Sequence, residues 1–224
     1  MNKYQFNQFL NKAKRNISYY LQKIPKVTRY LLLSILVIFI LQQFINLNGM
    51  VLQSIDTGLF NPLQLISYAF LHANFTHMFF NGLAIWMFGS HIENYWGEKR
   101  YLIFVFVCII GAAVTHLAFS NANVIGISGL VFGILLAYGM MWPNRVIMLL
   151  LPPMPIKVKY LVMVYGALLL YNILMSRDDG IAHFAHLGGA LSGFLLIQYW
   201  RKKPPFNKKD KSKKKSNSNI YRVK

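Results

Sequence analysis

Six apolar segments constrain the fold of this chain more than any other feature of its sequence. Hydrophobic residues make up 55% of its 224 residues. A helix needs about 20 apolar residues to cross the hydrocarbon core of a bilayer, at a rise of about 1.5 Å per residue. The pattern therefore predicts an all-α membrane protein with six transmembrane helices. The six segments that cross or nearly cross the core are residues 30–44, 67–89, 101–120, 126–141, 160–175 and 181–200.

Basic residues predict how this bundle is oriented. With six spans both termini lie on one side, and each of the 24 Lys and Arg residues except Arg177 falls on that side. Because Lys and Arg concentrate in the cytoplasmic segments of membrane proteins, we expect both termini in the cytoplasm. No small-residue cleavage site follows the first apolar segment, so no cleavable signal peptide is expected. Cys108 is the only cysteine, which excludes an intramolecular disulfide.

Composition divides the chain into three parts. Residues 1–28 form an amphipathic, basic cytoplasmic segment, residues 29–200 the six-helix core, and residues 201–224 a lysine-rich tail. Apolar residues recur on one helical face between residues 4 and 24, which is typical of a helix lying on the inner leaflet. The tail is too polar to fold, and we expect it to be disordered. Both termini are predicted to attract anionic lipids and not to bind nucleic acid.

Four polar residues are predicted to meet in the outer half of the bundle, because the second, fourth and sixth spans run in the same direction. They are Ser128, His186, His77 and Asn81. Polar residues inside a membrane are costly, so such a cluster indicates a functional site. The alternative is that Ser128 only caps its helix, and that the small residues spaced four apart beside Ser128 and His186 are ordinary packing motifs.

The residue types in this cluster suit serine hydrolase chemistry. His186 can act as the base for the Ser128 hydroxyl, while His77 and Asn81, four residues apart on one helical face, can stabilise an oxyanion with the Ser128 N–H. The sequence offers no carboxylate at that depth, so it predicts a Ser–His dyad with the imidazole held by packing against Phe132. The six acidic residues lie in loops, at helix ends or in the tail: Asp56, Glu93, Glu98, Asp178, Asp179 and Asp210.

The same residues argue against other chemistries. Aspartyl proteolysis needs two buried aspartates, and zinc proteolysis of the usual kind needs a His-Glu-x-x-His motif, which the sequence lacks. His72, His77, His183 and His186 could in principle form a metal site, but no carboxylate or thiol joins them. We therefore expect no metal and no cofactor, and interpret His183 as a structural neighbour of the site.

In these residues the chain resembles the rhomboid family of intramembrane serine proteases, over about residues 29–200. The resemblance implies a six-helix rhomboid-like bundle of the bacterial type in the cytoplasmic membrane. It also implies that Ser128 is the nucleophile, His186 the general base, and His77 and Asn81 the oxyanion stabilisers, with His72 structural. The motifs that carry it are His72-x4-His77-x3-Asn81, then Glu93, then Gly126-x-Ser128-Gly129, and His186-x2-Gly189-x3-Gly193.

One departure from the family pattern lies in the first outer loop, where Leu63 and Gln64 occupy the positions of a frequent Trp-Arg pair. The resemblance implies an endopeptidase that cuts transmembrane proteins in the outer half of the bilayer. The alternative is a non-catalytic relative that binds transmembrane helices for quality control. A solute transporter is disfavoured, because the sequence has neither internal repeats nor a charged midplane site.

Overall fold

The computed structural model of the chain describes residues 5–9, 19, 21–149, 152–175 and 182–202. These residues are mostly helical. A π-helical segment, Ile85–Gly89, joins α3 to α4 without a break. In chain order the helices are α1 (Lys26–Leu41), α2 (Gln64–Ser67), α3 (Phe75–Ala84), α4 (Ser90–Trp96), α5 (Glu98–Phe119), α6 (Ser128–Met141), α7 (Val158–Leu174) and α8 (His183–Lys202).

The surface of the helices is apolar. On α1, Val37 is 52% exposed, and on α7, Met163 is 66% exposed. Apolar surface on this scale is unfavourable in water and suits a hydrocarbon environment. By length and composition, α5 alone among the described helices is long and apolar enough to cross a membrane, while α6 and α7 are shorter apolar helices. An all-α membrane fold fits these features, and the count of six spans remains a prediction.

The second predicted span begins later than its hydropathy suggests. Residues 67–70 belong to α2 and a 3₁₀ turn, and the long helix starts only at Phe75. Asn74 caps this helix, because its side-chain oxygen accepts a hydrogen bond of 2.8 Å from the His77 N–H. The prediction of one helix over residues 67–89 was therefore wrong, and His72 lies in the loop before α3.

Small residues bring α5, α6 and α8 close together. A Cβ atom placed on Gly133 of α6 would lie 2.6 Å from the Cys108 sulfur of α5 and 3.1 Å from the Gly189 carbonyl oxygen of α8. A Cβ on Gly189 would overlap the Gly129 backbone. The predicted small-residue stripes thus form real helix contacts, and these contacts fix the distance between the starts of α6 and α8.

Glu93 joins α4 to the beginning of α1. Its buried carboxylate accepts hydrogen bonds of 2.8 Å from the Val27 N–H, the Thr28 N–H and the Thr28 hydroxyl. Pro25, at the N-cap position of α1, cannot supply a capping side chain. Because the first N–H groups of a helix have no partner within it, and its N-terminus favours negative charge, Glu93 replaces the missing cap.

A short antiparallel β-hairpin departs from the predicted all-α fold. Strands β1 (Val146–Met148) and β2 (Pro155–Lys157) connect α6 to α7, with Ile147 opposite Ile156. The hairpin lies between the fourth and fifth predicted spans, residues 126–141 and 160–175. Its β-branched residues alternate between core-facing and exposed positions, which is typical of a strand.

The terminal segments lie largely outside the described residues. Residues 5–9 and 21–23 are helical, and Phe6 and Phe9 are exposed. The rest of the predicted interfacial helix between residues 4 and 24, and the tail after residue 202, are not described. The inner-leaflet helix and the disordered tail therefore remain predictions.

Candidate active site

Ser128 and His186 contact each other through their side chains. The Ser128 Oγ and the His186 Nε2 are 2.7 Å apart, although the residues are 58 positions apart in the chain. Ser128 is the first residue of α6 and His186 lies in the first turn of α8. The close packing of the two helices, in which a Cβ on Gly129 would lie 3.1 Å from the Ala185 carbonyl oxygen, brings these two helix starts together.

This geometry disfavours the interpretation of Ser128 as a helix cap. The N-cap position of α6 is occupied by Ile127, whose side chain cannot accept a hydrogen bond. The Ser128 hydroxyl instead meets an imidazole nitrogen at a distance suited to proton transfer.

Aromatic packing orients the imidazole of His186. The ring of Phe132, one turn along α6 from Ser128, stacks on it with centroids 4.4 Å apart and an interplanar angle of 14°. His183 meets the same imidazole edge-on, with centroids 6.3 Å apart. The predicted stack of Phe132 on His186 is confirmed, and His183 is a neighbour of the site.

His77 lies directly beside the loop that precedes Ser128. A Cβ on Gly126 would lie 2.9 Å from the His77 Nε2, so the ring packs on the Gly126 backbone. Asn81 is one turn further along α3 and is buried. Within the described part of the chain its amide nitrogen has no hydrogen-bond partner. An orphaned buried donor is costly unless a ligand or a reaction intermediate uses it.

The loop before Ser128 is held by backbone hydrogen bonds. Leu52 and Val124 exchange two bonds of 3.1 Å, and the Gly126 N–H donates to the Tyr68 carbonyl at 2.9 Å. Gly126 has φ +110°, a value that side chains disfavour. Two independent constraints therefore favour glycine at position 126. One is the backbone conformation, and the other is the close approach of the His77 ring.

A cavity of about 670 Å³ opens beside the Ser128 and His186 side chains. Its walls come from the loop before α6 and from α3, α5, α7 and α8. Its size allows several water molecules to reach the serine. The polar residues that line it, besides the serine and histidine already described, are Asn74, His77, His116, Ser120, Asn123, Asn172 and His183.

His72 has a structural position. Its N–H donates to the Gln42 side chain at 3.0 Å, which ties the loop before α3 to the end of α1. Among the described residues, no three His, Cys, Asp or Glu side chains are grouped closely enough to hold a metal ion.

Sequence reasoning missed three contributors to this site. Gly126 was interpreted only as part of a motif. His116 lines the cavity, and its Nε2 bonds the Ala122 carbonyl at 2.7 Å. Asn172 of α7 lines the cavity. The signal for Asn172 was present, because an amide in an otherwise apolar predicted span is itself unusual.

These features define a helical membrane protein that carries a serine–histidine pair beside a cavity with several polar side chains in its walls. Comparison with known proteins agrees with this class. The family model described as "Rhomboid domain" matches residues 60–203. The chain belongs to the rhomboid family.

Curated relatives match the chain over similar lengths. It is 30% identical over 141 residues to the rhomboid protease GlpG of Yersinia pestis (strain Pestoides F), covering 60% of this chain and 46% of that protein. It is 33% identical over 136 residues to the putative rhomboid protease YdcA of Bacillus subtilis (strain 168), covering 59% of this chain and 64% of that protein. The match thus spans about half the length of the first of these relatives.

Proposed function

We propose that the protein is an intramembrane serine endopeptidase that cleaves transmembrane proteins in the outer half of the bilayer. The observation that carries this proposal is the 2.7 Å contact between the Ser128 Oγ and the His186 Nε2. Membership of the rhomboid family and the protease names of its relatives support it. The cavity beside the pair supplies the space for the water that hydrolysis needs.

In this mechanism His186 moves the protons and Ser128 forms the covalent bond. The Nε2 takes the hydroxyl proton as the Oγ attacks the scissile carbonyl carbon. The proton then passes to the leaving amine, whose bond to that carbon breaks, leaving an ester on Ser128. His186 next takes a proton from a cavity water, which attacks the ester, and returns the proton to the Ser128 oxygen as the acid product leaves.

The oxyanion of the tetrahedral intermediate meets donors from two elements. The Ser128 N–H lies at the start of α6, where backbone N–H groups have no partner within the helix. His77 and the orphaned amide of Asn81 contribute from α3. Donors fixed in advance in this way stabilise the charge that develops in the transition state.

A dyad accounts for this chemistry without a carboxylate. Glu93 binds the start of α1, and Glu98 pairs with Lys26 at 3.4 Å, so neither orients His186. Asp178 and Asp179 lie outside the described residues. We expect Asp178→Asn and Asp179→Asn to change kcat far less than the roughly 10⁴-fold loss that follows when a triad aspartate becomes asparagine. A loss of that size in a folded variant would establish a triad instead.

Cleavage of a transmembrane reporter by the purified protein in lipid vesicles tests the proposal. Ser128→Ala and His186→Ala are each expected to abolish cleavage while the thermal unfolding temperature stays close to that of the wild type. Ser120→Ala is a matched control, because Ser120 lines the same cavity but its Oγ accepts a hydrogen bond from the Ala122 N–H. This substitution should leave the rate nearly unchanged. Cleavage by Ser128→Ala at the wild-type rate would overturn the proposal, and a folded wild-type protein that binds the reporter without cleaving it would favour a binding function.

The proposed function also implies where the protein lies in the cell. We infer an integral protein of a bacterial cytoplasmic membrane with both termini in the cytoplasm, because all the basic residues except Arg177 then lie on that side. Its partners are transmembrane protein substrates and the lipid bilayer.

A further inference from the structure

The β-hairpin between α6 and α7 carries apolar side chains on both faces. On one face Ile147 and Leu149 pack against the hydrophobic core. On the other face Val146 and Met148 are 56% and 62% exposed. Pro155, opposite Met148 in the ladder, is exposed as well. Apolar side chains grouped on an exposed face are unfavourable in water, so this face suits an apolar environment outside the protein.

Basic side chains border this face. Arg145 precedes β1, Lys157 ends β2 on the exposed face, and Lys159 lies in the first turn of α7. The sequence has no acidic residue between Glu98 and Asp178. An apolar surface rimmed only by positive charge is complementary to an anionic lipid surface.

The hairpin extends from the end of the helix bundle where several Trp and Tyr side chains are grouped. Trp142, directly after α6, meets Tyr95 edge-on with ring centroids 5.5 Å apart, and Trp96 meets Trp200 at 5.4 Å. Trp and Tyr side chains concentrate where a bilayer meets water. The base of the hairpin therefore lies at the level of the lipid headgroups, on the side of the bundle opposite to the Ser128 cavity.

We propose that the hairpin face formed by Val146, Met148 and Pro155 inserts into the inner leaflet as an interfacial anchor. Lys157 extends from the same face toward the phosphates while its aliphatic stem remains among the acyl chains. This surface is separate from the proposed proteolytic site, and its insertion does not depend on catalysis.

Backbone hydrogen bonds connect the anchor to the helix that borders the cavity. The Val158 N–H donates to the Arg145 carbonyl at 2.9 Å, and the Lys159 N–H donates to the Pro143 carbonyl at 3.0 Å. These first N–H groups of α7 have no partner within the helix. At the other end of α7, Asn172 lines the cavity. Insertion of the hairpin thus fixes the depth of α7 beside the cavity.

Cysteines introduced one at a time, with the protein in vesicles of phosphatidylcholine and phosphatidylglycerol, test this anchor. Met148→Cys and Val146→Cys would each carry a nitrobenzoxadiazole label. Asn144→Cys, in the exposed turn just before the hairpin, is the matched control. The wild-type chain controls for background, because its single cysteine, Cys108, is buried. Each sample is quenched with acyl-chain doxyl lipid and, separately, with aqueous iodide.

We expect labels at positions 148 and 146 to emit at shorter wavelength than the label at 144. They should be quenched severalfold more strongly by doxyl lipid and more weakly by iodide. Quenching at 148 and 146 equal to that at 144 would overturn the proposal, because the face would then lie in water. Protection of both positions from both quenchers would also overturn it, since a second protein copy would then cover the face.

Discussion

At the scale of single residues, the site depends on groups that the surrounding structure leaves unsatisfied or strained. Gly126 has φ +110°, and its backbone packs against the His77 ring. The amide nitrogen of Asn81 is buried, and it has no partner among the described residues. Such features persist where the structure around them fixes the geometry, and they concentrate at functional sites.

Asn81 offers a direct test of oxyanion stabilisation. Asn81→Ala should lower kcat by about 10² to 10³, the usual cost of removing one oxyanion donor, while KM changes little. Asn123→Ala is the control, because Asn123 lines the same cavity but bonds the Ser54 N–H in the first loop. The measurement is steady-state cleavage of a transmembrane reporter. Equal effects of the two substitutions would argue against a role for Asn81 in the transition state.

At the scale of secondary-structure elements, helix contacts set the distance between nucleophile and base. Gly189 of α8 touches the Gly129 backbone of α6 one residue after Ser128. Gly189→Ala should therefore push the helices apart, destabilise the fold by about 1–3 kcal/mol as overpacking does, and abolish cleavage. Gly166→Ala in α7 is the matched control, because a Cβ there meets nothing within 4 Å. Thermal unfolding and cleavage rates measure both effects, and an unimpaired Gly189→Ala variant would contradict the packing described.

Glu93 tests the connection between α4 and α1. Because its carboxylate receives three hydrogen bonds at the start of α1, Glu93→Gln should reduce stability by about 1.5–3 kcal/mol, the typical value of a hydrogen bond to a charged group. The control is Glu98→Gln, whose ion pair with Lys26 is 56% exposed on each side and should contribute about 0–1 kcal/mol. Unfolding in mixed micelles compares the two variants. A loss for Glu98→Gln as large as that for Glu93→Gln would contradict this role.

At the scale of the whole molecule, the sequence predicts the features of the fold that depend on side-chain polarity. It does not predict the features that depend on local hydrogen bonds. Ser128 and His186 stand out because polar residues are rare in apolar segments, and their meeting follows from the direction of the spans. The start of α3 does not follow, because residues 67–70 are as apolar as the helix. Local hydrogen bonds, from the His77 N–H to Asn74 and from the His72 N–H to Gln42, mark the break between them. The hairpin was missed for a related reason, since its pairing is decided by tertiary contacts.

The position of the cavity could not be predicted from the sequence either. Asn172 and His116 reach it only because α5 and α7 pack around the starts of α6 and α8. Helix packing angles are not encoded in the hydropathy of any single segment. The residue types and the direction of the spans nevertheless predicted that Ser128 and His186 meet, whereas the roles of His77 and Asn81 as oxyanion stabilisers stay predictions.

Covalent labelling in native-like membranes tests the central claim most directly. A fluorophosphonate probe reacts with a serine whose hydroxyl is activated by a neighbouring base. We expect the wild-type protein to be labelled, with mass spectrometry placing the adduct on Ser128, and the Ser128→Ala and His186→Ala variants to remain unlabelled. Ser120→Ala should be labelled like the wild type. A folded wild-type protein that cleaves nothing and takes no label on Ser128, or that takes the label on another serine, would contradict the claim that Ser128 is the nucleophile.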